Sequence, residues 1–230
     1  VFFHTIQYIY MCFSFEASII SYVLGITAST LLLQSKNNTN KHIALFCLTF
    51  VHIQLIEALM WSDINCKNNL NHYGSILAHF NLILQPLSIL IGAYYLNTTI
   101  IPKNILQVLI IVYCVPLLMA IYHYNFKKPF KLCSLNSNKN NGELVWDFNI
   151  DRHSLTWRIY SFFYLSCLFF TWLLLKDKIK GYLMFFLALT TIILSIVSTK
   201  SIKLDEFLSD WESKWCFYSV GIPVIFLFMK

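Results

Sequence analysis

Six apolar runs of about 17–24 residues, separated by polar gaps that are short except after the fourth, dominate the chain. Such a run crosses about 30 Å of hydrocarbon, because an α-helix rises ~1.5 Å per residue. Lipid offers no partner for backbone amides, so each run has to satisfy its own hydrogen bonds as a helix. The runs lie at 16–34, 42–61, 73–96, 104–122, 156–175 and 181–199. A seventh, 211–229, has an uncharged part from Trp215 to Met229 only, and must recruit Trp211–Lys214 or lie tilted and shallow. The expectation is an all-α polytopic transmembrane helix bundle of about seven spans, one unit over residues 11–230 with a polar loop at 123–155.

Composition agrees with lipid as the solvent. Hydrophobic residues make up 57% of the chain and charged residues 12%, about half the usual charged share of a soluble domain. The net charge of +6 comes from 15 Lys and 2 Arg set in short loops beside apolar runs. There they serve to orient helices, and no nucleic-acid surface is implied. No P-loop, dinucleotide fingerprint, Cys-x-x-Cys, His-x-x-x-His or His-Glu-x-x-His pattern occurs, so no catalytic, cofactor or metal motif is present. A retinal protein needs a lysine in mid-helix, whereas Lys214 stands at the mouth of the last run and Lys230 at its end. Residues 1–10 lack the basic region and cleavage site of a signal peptide. They read as an interfacial stretch or, preferably, as an extension upstream of a start at Met11.

The charges split between two faces. The face bearing the N-terminus carries Lys67, Lys127, Lys128, Lys131, Lys139, Arg152, Arg158, Lys200, Lys203 and Lys214, ten in all. The other carries seven: Lys36, Lys41, Lys103, Lys176, Lys178, Lys180 and Lys230. The raw count points to a cytoplasmic N-terminus. The first span, which usually dominates, points the other way, with no cation before it and Lys36 and Lys41 after it. Cys12, Cys66, Cys133 and Cys216 gather near the N-terminal face, as disulfides of an oxidising compartment would. The Asn-x-Thr sequons at Asn37 and Asn97 fall on the opposite face, close to the bilayer. The balance favours an N-terminus outside or in a lumen.

Polar groups inside spans are where membrane proteins carry function, since a charge at mid-span costs about 2.5–3.5 kcal/mol. The second span holds His52, Gln54, Glu57 and Trp61, the last three on one helical face. The third holds His79, Asn81 and Gln85, followed by Pro86, which frees a backbone carbonyl. Glu16 opens the first span, and Trp215 and Cys216 the seventh. Depth counting puts most of these in one half of the bilayer. The expectation is a polar pocket of Glu16, Gln54, Glu57, Trp61, His79, Gln85, Trp215 and Cys216, opening on the N-terminal face and floored by Gln85 and Pro86. Each residue alone has a plainer reading: Glu16 as a solvated helix start, Glu57 as a hydrogen-bonded packing group, His79 as a satisfied core histidine.

The segment Met-Cys-Phe-Ser-Phe-Glu-Ala-Ser (Met11–Ser18) resembles a family of small multi-span membrane proteins of giant DNA viruses and bacteria that open Met-Cys-x-Ser/Asn-x-Glu-x-Ser. Similar pieces follow in order: Gln54-Leu-Ile-Glu57 with Trp61, Gln85-Pro86, Leu144-Val-Trp146, and Ser213-Lys-Trp215-Cys216. The resemblance implies a start at Met11 and attention to Trp146 besides the residues above. Glu143 stands where relatives often have His. The family has no agreed activity and supplies none here. Three readings therefore stand: binding or translocation of a small polar solute, ion or proton; a structural or assembly component of a cellular or virion membrane; and an intramembrane enzyme.

Overall fold

The computed structural model describes residues 14–126, 131–136, 144–149, 155–198 and 214–229. The first span is α1 (Phe15–Leu33), begun by Ser14, whose Oγ accepts a hydrogen bond from the Ala17 amide. Next comes α2 (Asn38–Ser62), begun by Asn37, whose Oδ1 accepts from Thr39 and Asn40. The third span, α3 (Leu70–Leu96), runs on through Pro86 and is bounded by Asn69 and Asn97, both left-handed. Asn tolerates that conformation better than other residues with a side chain. Then follow α4 (Lys103–Phe126), a two-residue antiparallel ladder of β1 (Leu135–Asn136) and β2 (Leu144–Val145), α5 (Leu155–Leu173) and α6 (Lys178–Ser198). The chain is helical again over Lys214–Leu227, with a break at Val220 and Gly221 before α7 (Ile222–Leu227).

Among the described residues, α1, α2, α3, α4 and α6 are long and apolar enough to cross a membrane. α5 has 19 residues but carries Arg158 and a high share of Tyr and Trp. The C-terminal segment is short, as its uncharged length foretold. The chain is an integral multi-pass membrane protein with an all-α bundle. Observed helices start earlier than the apolar runs because polar residues such as Asn38–Lys41, Asn71 and His72 complete their first turns.

α2 and α3 form the hub: 67% of each apolar window is buried, against 17% in α4, which faces lipid along most of its length. α1 packs on α2, α4 and α5 pack on α3, and the C-terminal segment lies against α1 and α2. The core joins Phe46, Phe50 and Ile53 of α2 to Leu82 and Ile89 of α3, Trp172 of α5 and Trp215. The hub helices approach closely where side chains are small. A Cβ on Gly92 would stand 2.4 Å from Cδ2 of His42.

The stretch around Leu144 and Trp146, inside the polar loop at 123–155, packs into the bundle. Leu144, Trp146 and Phe148 are all buried, at 1%, 3% and 3% exposure, and belong to the same core as Met60 and Ala78. Alternate residues of an extended chain share a face. All three point inward and plug the N-terminal end of the bundle.

Candidate functional site

The polar residues inside α2 and α3 are met by neighbours one at a time. Gln54 and Glu57 are buried one turn apart, and Gln54 Nε2 donates to Glu57 Oε2 at 3.0 Å. Gln54 Oε1 is buried and accepts no hydrogen bond among the described residues. Asn81 Nδ2 donates to the Thr49 carbonyl at 2.9 Å, Gln85 Nε2 to Asn81 Oδ1 at 2.9 Å, and the Tyr164 hydroxyl to Gln85 Oε1. That relay ties α2, α3 and α5 together near mid-span. On the far side Trp215 Nε1 and Ser219 Oγ each donate to Thr191 Oγ1 at 3.1 Å, joining the C-terminal segment to α6. Glu16 is exposed in the first turn of α1, where the helix dipole favours an acid. Trp61 is half-buried against the core, and Cys216 is buried.

A cap closes the N-terminal face over these residues. Cys66, after α2, is disulfide-bonded to Cys133, with Cα atoms 5.8 Å apart. Asn71 Nδ2 donates to the Ser134 carbonyl at 2.8 Å, and the Ser134 amide returns a bond to Asn71 Oδ1 at 2.7 Å. The Asp147 amide donates to Ser134 Oγ, and Asp147 Oδ2 accepts from the Cys133 amide. The loop beneath is organised by Asp63, whose carboxylate accepts from the amides of Lys67, Asn68 and Asn71. The Asn68 amide, with Asn71, Lys67 and Leu70 behind it, holds the Asp63 carboxyl below its usual range, against an opposing push from burial.

Two cavities lie under and beside this cap. The larger, about 340 Å³, sits between α3, α4 and α5 and is within the usual range for small-molecule sites. Its mouth is formed by Val112, Met119, Ile159 and Phe163, which are exposed on the outer surfaces of α4 and α5, so it opens sideways towards lipid. Its inner wall carries His79, Tyr113, His123, Trp157 and Tyr160. Among the described residues no acid and no Lys or Arg lines it. The smaller, about 60 Å³, is walled by Leu82, Trp146, Tyr164, Trp215 and Cys216, and shares Trp157 and Tyr160 with the larger.

His79 is the polar anchor of the larger cavity. It is buried, its ring stacks on Phe148 at 5.1 Å, and its Nδ1 is 2.9 Å from the Tyr124 hydroxyl. Its Nε2 makes no hydrogen bond among the described residues, yet is not sealed off. Of the eight residues expected in one pocket, His79 lines the larger cavity and Trp215 and Cys216 the smaller. Gln54, Glu57, Trp61, Gln85 and Glu16 line neither. Sequence reasoning missed Tyr113, Trp157 and Tyr160, which look like ordinary interfacial aromatics in a span. It also passed over His42, whose two ring nitrogens meet the Ile89 carbonyl and Thr98 Oγ1, each at 2.7 Å. Among the described residues no group of three His, Cys, Asp or Glu side chains could hold a metal ion. No family model matches the chain, and no curated protein or solved structure is significantly similar to it.

Proposed function

We propose that the protein binds a neutral, lipid-borne amphiphile, an apolar body with one hydroxyl-type head, in the lateral cleft between α3, α4 and α5. The observation that carries this reading is His79, lining a largely apolar cleft with one ring nitrogen that makes no hydrogen bond among the described residues. If the Tyr124 hydroxyl donates to Nδ1, then Nε2 bears the proton and donates. If Nδ1 donates to Tyr124, then Nε2 accepts. A hydroxyl head satisfies either tautomer. Among the described residues lining the cleft a cation would find no carboxylate and an anion no Lys or Arg, which favours an uncharged ligand there.

The test uses ω-bromoalkanols and the matching hydroxyl-free bromoalkanes on protein in lipid nanodiscs, read by quenching of tryptophan, since Trp157 lines the cleft. His79→Leu is expected to weaken alcohol binding by about 5–30-fold, the loss of one hydrogen bond of about 1–2 kcal/mol, and to leave the bromoalkane unchanged. Equal effects on both compounds, or on neither, would overturn the reading.

A structural role for the other intramembrane polar residues is supported by their pairing: Gln54 with Glu57, and Asn81 with Gln85 and Tyr164. The first two pairs each lie within one helix, the Gln85–Tyr164 bond joins α3 to α5, and none needs a ligand. We also infer that the N-terminal face lies outside or in a lumen. The Cys66–Cys133 disulfide supports this, because such bonds persist in oxidising compartments.

A further inference from the structure

His52 lies ten residues before Ser62, so about 15 Å inside the second span, yet it is exposed on the outer surface of the bundle. Ionisable residues within spans nearly always face the bundle interior, because hydrocarbon offers them no hydrogen-bond partner. The His52 Nδ1 is 2.5 Å from the Leu48 carbonyl, which can only accept, so Nδ1 carries the proton. In the neutral ring Nε2 is then a bare acceptor, and it makes no hydrogen bond among the described residues. Beside it stands the half-buried Tyr22 of α1, with ring centroids 5.7 Å apart. The Tyr22 hydroxyl is a donor that also makes no hydrogen bond among the described residues. An unmet acceptor and an unmet donor thus share one depth on one lipid-facing surface.

The residues around His52 carry a pattern of their own. Leu45, Leu48, His52, Leu55 and Leu59 follow alternate steps of three and four, the a and d spacing of a coiled-coil seam, with His52 at an a position. His52 and Leu59 are exposed and the other three half-buried, whereas Phe46, Phe50 and Ile53 of the same helix are buried in the core. One face of α2 therefore builds the hub and another looks outward. In such seams a single polar residue at an a position sets register and the number of strands.

We propose that the outward seam of α2 pairs with the same seam of a second copy of this chain, across a twofold axis along the bilayer normal. Copies inserted in one orientation meet at matched depth, and the ring contact between Tyr22 and His52 already places those two side chains at one depth. Two His52 rings cannot bond each other, since both present acceptors. Each Nε2 instead accepts from the Tyr22 hydroxyl of the other copy, which gives two reciprocal bonds in a self-complementary interface. The seam shares no residue with the lateral cleft and does not depend on ligand binding there.

The experiment is dimerisation of the full chain in liposomes, with donor- and acceptor-labelled copies diluted in lipid and read by energy transfer. Wild-type protein is expected to dimerise with a midpoint set by the protein-to-lipid ratio. Tyr22→Phe and His52→Leu are each expected to weaken dimerisation about 5–10-fold, because either change removes both bonds. The double variant is then no weaker than the singles. A Tyr22→Phe copy mixed with a His52→Leu copy keeps one of the two bonds. That mixed dimer is expected to form about 3-fold more readily than either homodimer, beyond the statistical factor. A contact between Tyr22 and His52 that matters only within one chain gives no such preference. Leu48→Cys or Leu55→Cys should cross-link copies on oxidation, whereas Ile111→Cys, exposed on α4, should not. These cross-links and Tyr22→Phe carry the test even if His52→Leu fails to fold. A monomer at every protein density, its seam covered by lipid, overturns the proposal. So do dimers that are indifferent to both substitutions, or that cross-link at Ile111→Cys and not along the seam.

Discussion

One of the tight fits between single residues is that of His42 against Gly92. The His42 ring is held at both nitrogens and lies 5.1 Å from the Trp172 ring, so it has no direction in which to yield. A methyl group on residue 92 would press on Cδ2 at 2.4 Å. Gly92→Ala is therefore expected to destabilise the protein by about 1–3 kcal/mol, the usual cost of overpacking, read as a lower unfolding midpoint in detergent. An unchanged midpoint would mean that the ring moves aside. At this scale the sequence was legible only where partners are near in the chain. Gln54 and Glu57, one turn apart, were placed on one face from spacing alone, and they do bond. Gln85 finds Tyr164 across 79 positions and His79 finds Tyr124 across 45, and nothing local specifies either pair. That is why a single pocket was expected where the molecule has separate pairs and two aromatic-walled cavities.

Among the elements, the helices and the cap contrast most in legibility. A span is written as a long apolar run, and the hydrophobic cost of breaking it fixes the helix with little help from elsewhere. The cap is written as Leu144, Trp146 and Phe148 at alternate positions in a polar loop, a pattern that fits equally a surface patch or a plug. The choice is made by Cys66, Asn71 and Asp63, distant residues that pull the segment down onto the bundle. Reducing Cys66–Cys133 releases a closed loop of 67 positions and is expected to cost about 2–4 kcal/mol. The hydrogen bonds of Asn71, Ser134 and Asp147 remain, so the reduced cap stays docked near neutral pH. Acid should then act on it through Asp63. A carboxyl with a depressed folded-state pKa adds stability that is present above its unfolded pKa and lost as pH falls through the folded one. Unfolding midpoints measured down the acid range should fall in both forms, with the reduced protein lower throughout. Asp63→Asn should flatten the decline, and a variant that keeps the full acid decline would remove Asp63 as its cause.

For the molecule as a whole, the question is which way the bundle faces. The N-terminal face carries the disulfide and the cap. The opposite face carries exposed Lys36, Lys103, Lys176 and Lys178, with Asp177 among them engaged by Lys180 at 3.7 Å. Lys176 Nζ donates to Asn97 Oδ1, and Asn37 Oδ1 begins α2, so both sequon asparagines on that face are already occupied in holding helix ends together. A glycan is carried on Nδ2, which these bonds to Oδ1 do not use, so the sequons weigh little only because they lie close to the bilayer. The disulfide then outweighs the raw count of cations, because distal loop charges orient a bundle less than the first span does. A membrane-impermeant amine reagent applied to sealed, right-side-out cells or vesicles should modify exposed Lys67 and Lys131. It should reach Lys36, Lys103, Lys176 and Lys178 only after the membrane is permeabilised. The reverse pattern would turn the bundle over and put Cys66–Cys133 in a reducing compartment, where the cap would rest on its hydrogen bonds alone.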